Sequence, residues 1–192
     1  MESEATVLIV TENRERGRRC ASYLCTAYAV RTAGSVAGAR EALDDDPKVD
    51  VALVDDELPD GPAEGVLRAM QDRDVLARAG VFTEGVPETD VAERGFDEYL
   101  VTPPADDELH SAVRRLVDLL SYDVKLRESA ELVSERASME ATEGGAEAEP
   151  ADDRYDRVTA RLESLERDIR SIGGRFGATG YRAAFRDVGE ER

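Results

Sequence analysis

The sequence predicts an α/β fold: a five-stranded parallel sheet flanked by helices, with a C-terminal α-helical hairpin. Three observations carry this. Short β-branched runs alternate with helical patterns as far as Leu120. The run from Val49 to Asp55 is apolar almost without a break, which suits a strand covered on both faces. Val158, Leu162, Leu165, Ile169 and Ile172 recur at spacings of 4, 3, 4 and 3, the seam of a helix that packs on another helix.

Thr6-Val7-Leu8-Ile9-Val10 is the first strand, closed by Thr11-Glu12-Asn13. Arg14 to Tyr23 reads as a helix with Cys20, Tyr23 and Leu24 on its apolar side and Gly17 as its weak point. Ala29 to Ala33 alternates, as an edge or half-buried strand does, and Ser35 is the expected N-cap of a helix from Val36 to Leu43. The central strand ends in Asp55-Asp56-Glu57, after which Pro59-Asp60-Gly61 forces a turn. Ala63 to Met70 is helical, with Val66, Leu67 and Met70 inward. Gly80 to Thr83 and Tyr99 to Val101 are the fourth and fifth strands, and the residues between allow only a short helix at 87–93. Asp106 or Asp107 caps a long helix through Leu109, Val113, Leu116 and Leu120.

These elements make one domain over residues 5–120 and a helical one over 121–192. In the second, the helical pattern continues through Val124, Leu126, Ala130, Val133 and Ala137. Residues 139–153 are rich in Glu, Ala and Gly and read as an acidic flexible link. The seam helix then folds back as an antiparallel partner, the alternative being a zipper (a coiled coil) for self-association or another protein. Gly173-Gly174 ends it, and Tyr181 to Val188 forms a last short helix; Phe176, Tyr181 and Phe185 are either core cover or a docking patch.

Charge narrows the function classes. The 192 residues carry 43 Asp+Glu against 25 Lys+Arg, a net charge of −18, so the long-range field repels a phosphate backbone. Lysine occurs only at Lys48 and Lys125, a bias that resembles the proteins of salt-loving microbes, where molar salt shrinks the Debye length to about 3 Å. A stripe through Arg154, Arg157, Arg161, Arg167, Arg170, Arg175, Arg182 and Arg186 keeps a DNA-binding transcription regulator as the alternative, although acidic residues interleave with it. Cys20 and Cys25 make neither a disulfide framework nor a zinc site, and read as reduced core or semi-core thiols. His110, expected on an exposed helix face, is the only histidine, which excludes a His-based triad. No leader or membrane-spanning run is visible, so a cytoplasmic protein without membrane contact is expected.

Asp55 is the first candidate site residue, because parallel α/β sheets place their sites at the carboxyl ends of the strands. The plain alternative is an acidic loop in an acidic protein. Three motifs in order favour the former. Val7 to Asn13 resembles the first strand and acidic turn of response-regulator receiver domains, which have a flavodoxin-like fold. Asp50 to Gly61 is similar to their phosphoacceptor strand, and Gly95 to Pro103 to their last strand and loop. The tail resembles the HalX domain at Tyr122-Asp123, Arg161 to Arg167 and Gly177 to Asp187.

The receiver resemblance implies phosphorelay (two-component) signal transduction. Asp55 is then the phosphoacceptor served by a sensor histidine kinase, and Glu12, Asp55 and the carbonyl of Glu57 are Mg²⁺ ligands. Thr83 is the switch hydroxyl, and Thr102 lies at the phosphate contact. Two departures weaken that site. Thr11 stands where a second acid is expected, and Thr102 where a lysine is expected. A hydroxyl can hydrogen-bond a phosphate but cannot neutralise it. Two readings follow: a slowly phosphorylated site with weakly held Mg²⁺, or a degenerate receiver that keeps the fold without the chemistry, coupled in either case to the HalX-type output. A phosphatase using Asp55 as nucleophile lacks an identifiable general base.

Overall fold

Five short runs of β-branched and aliphatic residues form one parallel sheet: β1 Thr6–Val10, β2 Ala29–Ala33, β3 Val51–Asp55, β6 Arg78–Thr83 and β7 Glu98–Val101, in the spatial order β2-β1-β3-β6-β7. The computed structural model describes residues 5–45, 48–87, 89–143 and 153–175. The chain divides into two compact units, Met1–Leu120 and Ser121–Arg192.

The predicted parallel sheet is therefore present, with β3 at its centre. β1 and β3 are buried at every position, while β2 is an edge strand with only partial cover. Alternate side chains serve two cores. Leu8, Val10, Ala52 and Val54 pack with Val36, Ala39 and Leu43 of α2 (Val36–Asp45) and with Val66, Ala69 and Met70 of α3 (Glu64–Gln71). Val7, Ile9, Val51 and Leu53 pack with Cys20 and Leu24 of α1 (Arg14–Leu24) and with Leu109, Val113 and Leu116 of α4 (Asp106–Glu143).

Several local expectations shift. On α1 the inward face is Gly17, Cys20 and Leu24, at spacings of three and four, whereas Tyr23 turns outward and meets His110 edge-on. His110 is half-buried, with Tyr28 on its other side, rather than exposed. Cys20 is buried but Cys25 is exposed, its thiol donating to the Ser22 carbonyl. Gly17 is not a defect: a Cβ there would lie 3.3 Å from Thr11 Cγ2, so glycine lets the first turns of α1 approach the end of β1. On α3 the inward trio is Val66, Ala69 and Met70, with Leu67 only partly covered.

Ser35 does accept the Gly38 N–H through its hydroxyl. The first two N–H groups of α2, from Val36 and Ala37, go instead to Asp60, each at 2.8 Å. Asp60 is carried there by the small hairpin β4 (Glu57–Leu58) and β5 (Gly61–Pro62), where Gly61 has φ +150°. Those amides hold the Asp60 carboxyl below its usual range. Between β6 and β7 the described residues contain only a 3-10 turn, Val91–Arg94. Neither Asp106 nor Asp107 caps α4. Both lie inside its first turn, and Glu108 reaches back to the Ala105 N–H.

In the second unit, α4 continues to Glu143 instead of ending near Met139, and α5 spans Asp153–Gly173; residues 144–152 lie outside the described residues. Val158, Leu162, Leu165 and Ile172 are buried, and Ile169 is partly so. Lys125–Asp168, Glu128–Arg161 and Glu135–Arg154 pair in descending register, which makes α4 and α5 antiparallel partners. Val124 and Val133, two apolar positions of the continuing helical pattern, are exposed. The predicted helix at Tyr181 to Val188, and the side chains of Phe176, Tyr181 and Phe185, lie outside the described residues.

The hairpin pairs give a pH prediction. Arg161 beside Glu128 and Lys125 beside Asp168 hold both carboxyls below their ordinary values. Stability from a lowered carboxyl is complete above its unfolded pKa, about 4, and is lost as pH falls through the lower folded value. Acidification below about pH 4 is therefore expected to lower the unfolding midpoint, read by circular dichroism. The doubly neutral variant Glu128→Gln/Asp168→Asn is expected to show less of that loss.

Candidate functional site

Asp55 is the last residue of β3 and only 6% exposed, at the carboxyl edge of the sheet. Across the register it faces Phe82 of β6, with Thr83 next in line. A polar cavity of about 440 Å³ opens there, lined among others by Glu12, Arg16, Asp55, Glu57, Thr83 and Thr102. The site residues named from the sequence thus line one cavity.

Their individual contacts differ from the expected set. Thr83 is buried and donates its hydroxyl to the Gly85 carbonyl at 2.7 Å, within its own loop. Thr102 donates both its N–H (2.8 Å) and its hydroxyl (3.1 Å) to the Thr83 carbonyl, so the ends of β6 and β7 are tied together. The Thr102–Pro103 peptide is cis. Glu12 and Glu57 are exposed on the rim.

Asp55 itself is engaged on both oxygens. Thr11, buried at the end of β1, donates its hydroxyl to Asp55 Oδ2 at 2.5 Å, while its oxygen accepts the Asn13 N–H at 3.1 Å. Arg16 donates from Nη1 to Asp55 Oδ1 at 2.5 Å. The guanidinium carbon lies 6.0 Å from the centre of the Phe82 ring. Asn13 caps α1 through the N–H groups of Glu15 and Arg16, which fixes where that first turn begins.

Neither Arg16 nor Arg94 figures among the sequence candidates. Arg94 bridges Asp56 (2.6 Å) and Glu64 (2.7 Å), so one of the cavity carboxylates has its own counter-ion. The Arg16 signal was faint but physical. A site short of one acid and one lysine calls for charge from elsewhere, and α1 begins three residues after Thr11.

The expected Mg²⁺ set of Glu12, Asp55 and the Glu57 carbonyl meets a competing charge at Asp55. Among the described residues no three His, Cys, Asp or Glu side chains form a metal-holding group. The decisive feature is occupancy of Asp55 Oδ1: a cation approaching it meets the guanidinium of Arg16.

Comparison with known proteins agrees with this architecture. The HalX domain model matches residues 118–185. The first unit is similar in fold to the CheY-like response regulator receiver domain protein of Methanospirillum hungatei JF-1. That match has a TM-score of 0.55 and 20% identity, over 62% of this chain and 98% of that one. Chemotaxis response regulator CheY4 of Vibrio cholerae gives a TM-score of 0.53 at 21% identity, over 59% of this chain and 99% of that one. A Haloferax volcanii protein named "Putative transcriptional regulator" is 29% identical over 164 residues, 85% of this chain. The chain spans only 28% of that relative's length. Residues 118–185 are accordingly a HalX domain, preceded by a domain with the fold of response-regulator receivers.

Proposed function

We propose that this chain is a non-enzymatic signal-transduction regulator of the response-regulator type, in which Asp55 is an attenuated phosphoryl acceptor and the HalX domain is the output. The observation that carries the reading is the placement of Asp55 at the carboxyl end of the central strand, in one cavity with Thr83 and Thr102. In the transfer, an Asp55 carboxylate oxygen attacks the phosphorus of a kinase phosphohistidine. The P–N bond breaks, and the electron pair leaves on the imidazole nitrogen. Thr83 and Thr102, in the same cavity, would offer hydroxyls to the new phosphoryl group once they turn from their present carbonyl partners. Glu12, Asp55 and the carbonyl of Glu57 would hold Mg²⁺, which would offset charge on the phosphoryl group, and the guanidinium of Arg16 on Asp55 Oδ1 weakens that set.

A transcription-regulator reading is favoured by the name of the Haloferax volcanii relative. Charge pairing in the hairpin weighs against α5 as a phosphate-binding surface, because Arg154 and Arg161 are held by Glu135 and Glu128.

The test is incubation of the full chain with a small acyl phosphate and Mg²⁺, followed by intact mass measurement. A slow gain of one phosphoryl group, abolished by Asp55→Ala, is expected. If no Asp55-dependent gain appears over hours while the fold is intact, the acceptor role is wrong.

A further inference from the structure

The charge of Asp55 is balanced from within the chain. With a hydroxyl at Thr11, the buried end of the cavity holds one carboxylate, that of Asp55. One guanidinium, that of Arg16, sits on it at 2.5 Å and balances it. Three features hold the guanidinium in place. Asn13 fixes the first turn of α1, Gly17 allows that turn to lie against Thr11, and the ring of Phe82 lies beside the guanidinium carbon. The Arg16 side chain is 28% exposed, so the pair is partly shielded from water rather than a loose surface contact.

We infer that Arg16 is the resident counter-cation of this site. It takes the place at Asp55 that a divalent ion would occupy and competes with such an ion for the carboxylate. The inference deepens the reading of Asp55 as an acceptor and rests on that reading for its biological consequence. A guanidinium suits the role: it is charged at every physiological pH and offers a planar fork matched to carboxylate and phosphate oxygens. A metal reaching Asp55 Oδ1 must first displace the Arg16 Nη1 hydrogen bond, so metal affinity and the Arg16–Asp55 pair are thermodynamically linked. The same linkage lets a phosphoryl group arriving on Asp55 inherit the guanidinium as its partner.

The experiment is a titration of the full chain with Mn²⁺ alone, free ion being read by electron paramagnetic resonance. Removing one charge-assisted hydrogen bond from the competition predicts that Arg16→Gln binds Mn²⁺ about tenfold or more tighter than wild type. Arg16→Lys, which keeps the charge, is expected to stay near wild type. Arg16→Gln/Asp55→Asn must lose the gain, which separates this site from the acidic surface at large. Unchanged Mn²⁺ affinity in Arg16→Gln, with a native circular dichroism spectrum, overturns the counter-cation role. Because the titration involves no phosphodonor, the two ideas fail separately. Tighter Mn²⁺ binding without any phosphoryl uptake supports Arg16 and rejects the acceptor, whereas uptake without a change in Mn²⁺ affinity does the reverse.

Discussion

Asp97→Ala is expected to cost about 3–5 kcal/mol of folding stability, read as a lower urea midpoint with an unchanged slope. Asp97 is 6% exposed and Arg78 is 3% exposed, and their side chains pair at 3.0 Å. The second carboxylate oxygen accepts the Ala79 N–H at 2.9 Å, while the Asp97 N–H goes to the Ala79 carbonyl at 2.8 Å. One residue thus fastens the start of β6 to the entry of β7, and removing its side chain leaves a buried guanidinium without this carboxylate. Against the ~5–15 kcal/mol that holds a typical domain together, that loss is large. Burial of a pair is no proof that the pair is favourable in itself, since desolvating both ions costs about as much as their attraction returns. The apolar double variant Arg78→Met/Asp97→Leu is therefore expected to be more stable than Asp97→Ala alone. A cost under about 1 kcal/mol for Asp97→Ala would show that water reaches Arg78 and that the pair does not fasten the strands.

This pair also marks where sequence reading ends. The strand from Gly80 is legible because Gly80-Val81-Phe82-Thr83 is an apolar run, but its true start at Arg78 is hidden by a charge that only tertiary structure neutralises. The five-stranded parallel sheet is legible for a related reason: continuous apolar runs separated by helix-length patterns leave few ways to connect parallel strands. Helix faces are read less well. Tyr23, Val124 and Val133 are apolar by composition but point outward, because the inward stripe is chosen by what packs most closely, such as Gly17 against Thr11. At the site, Asp55 is legible as the end of a central strand, a local feature, while Glu12, Thr83 and Thr102 are placed around it by the receiver resemblance, and all four line one cavity. Arg16 follows from neither. Its reach to Asp55 depends on a cap, a glycine and a helix approach that a single sequence does not display together.

Thr11→Asp/Thr102→Lys is expected to raise the initial rate of phosphoryl uptake at Asp55 by about 10²–10⁴-fold, measured by mass in the presence of Mg²⁺. Each substitution restores one charged partner, worth about 1.5–3 kcal/mol when it contacts an ion. At position 11 the new carboxylate faces the Asp55 oxygen that now accepts a hydroxyl at 2.5 Å. The buried end of the cavity then holds two negative charges against one guanidinium, and a divalent ion becomes the better counter-charge. At position 102, tied to the Thr83 carbonyl and on the cavity wall, an ammonium on a flexible stem can reach the phosphoryl oxygens that a threonine can only hydrogen-bond. The two gains act on the same dianion, so the double variant should fall short of the product of the singles. Thr102→Lys alone adds no repulsion at Asp55 and is expected to give the cleaner single gain. Thr11→Asp alone forces two carboxylates together and should help only when Mg²⁺ is present. A double variant that folds, binds Mg²⁺ and still takes up phosphoryl groups no faster than wild type would mean that the missing charges are not what attenuates Asp55. The restraint would then lie with Arg16, whose guanidinium is paired with Asp55 Oδ1.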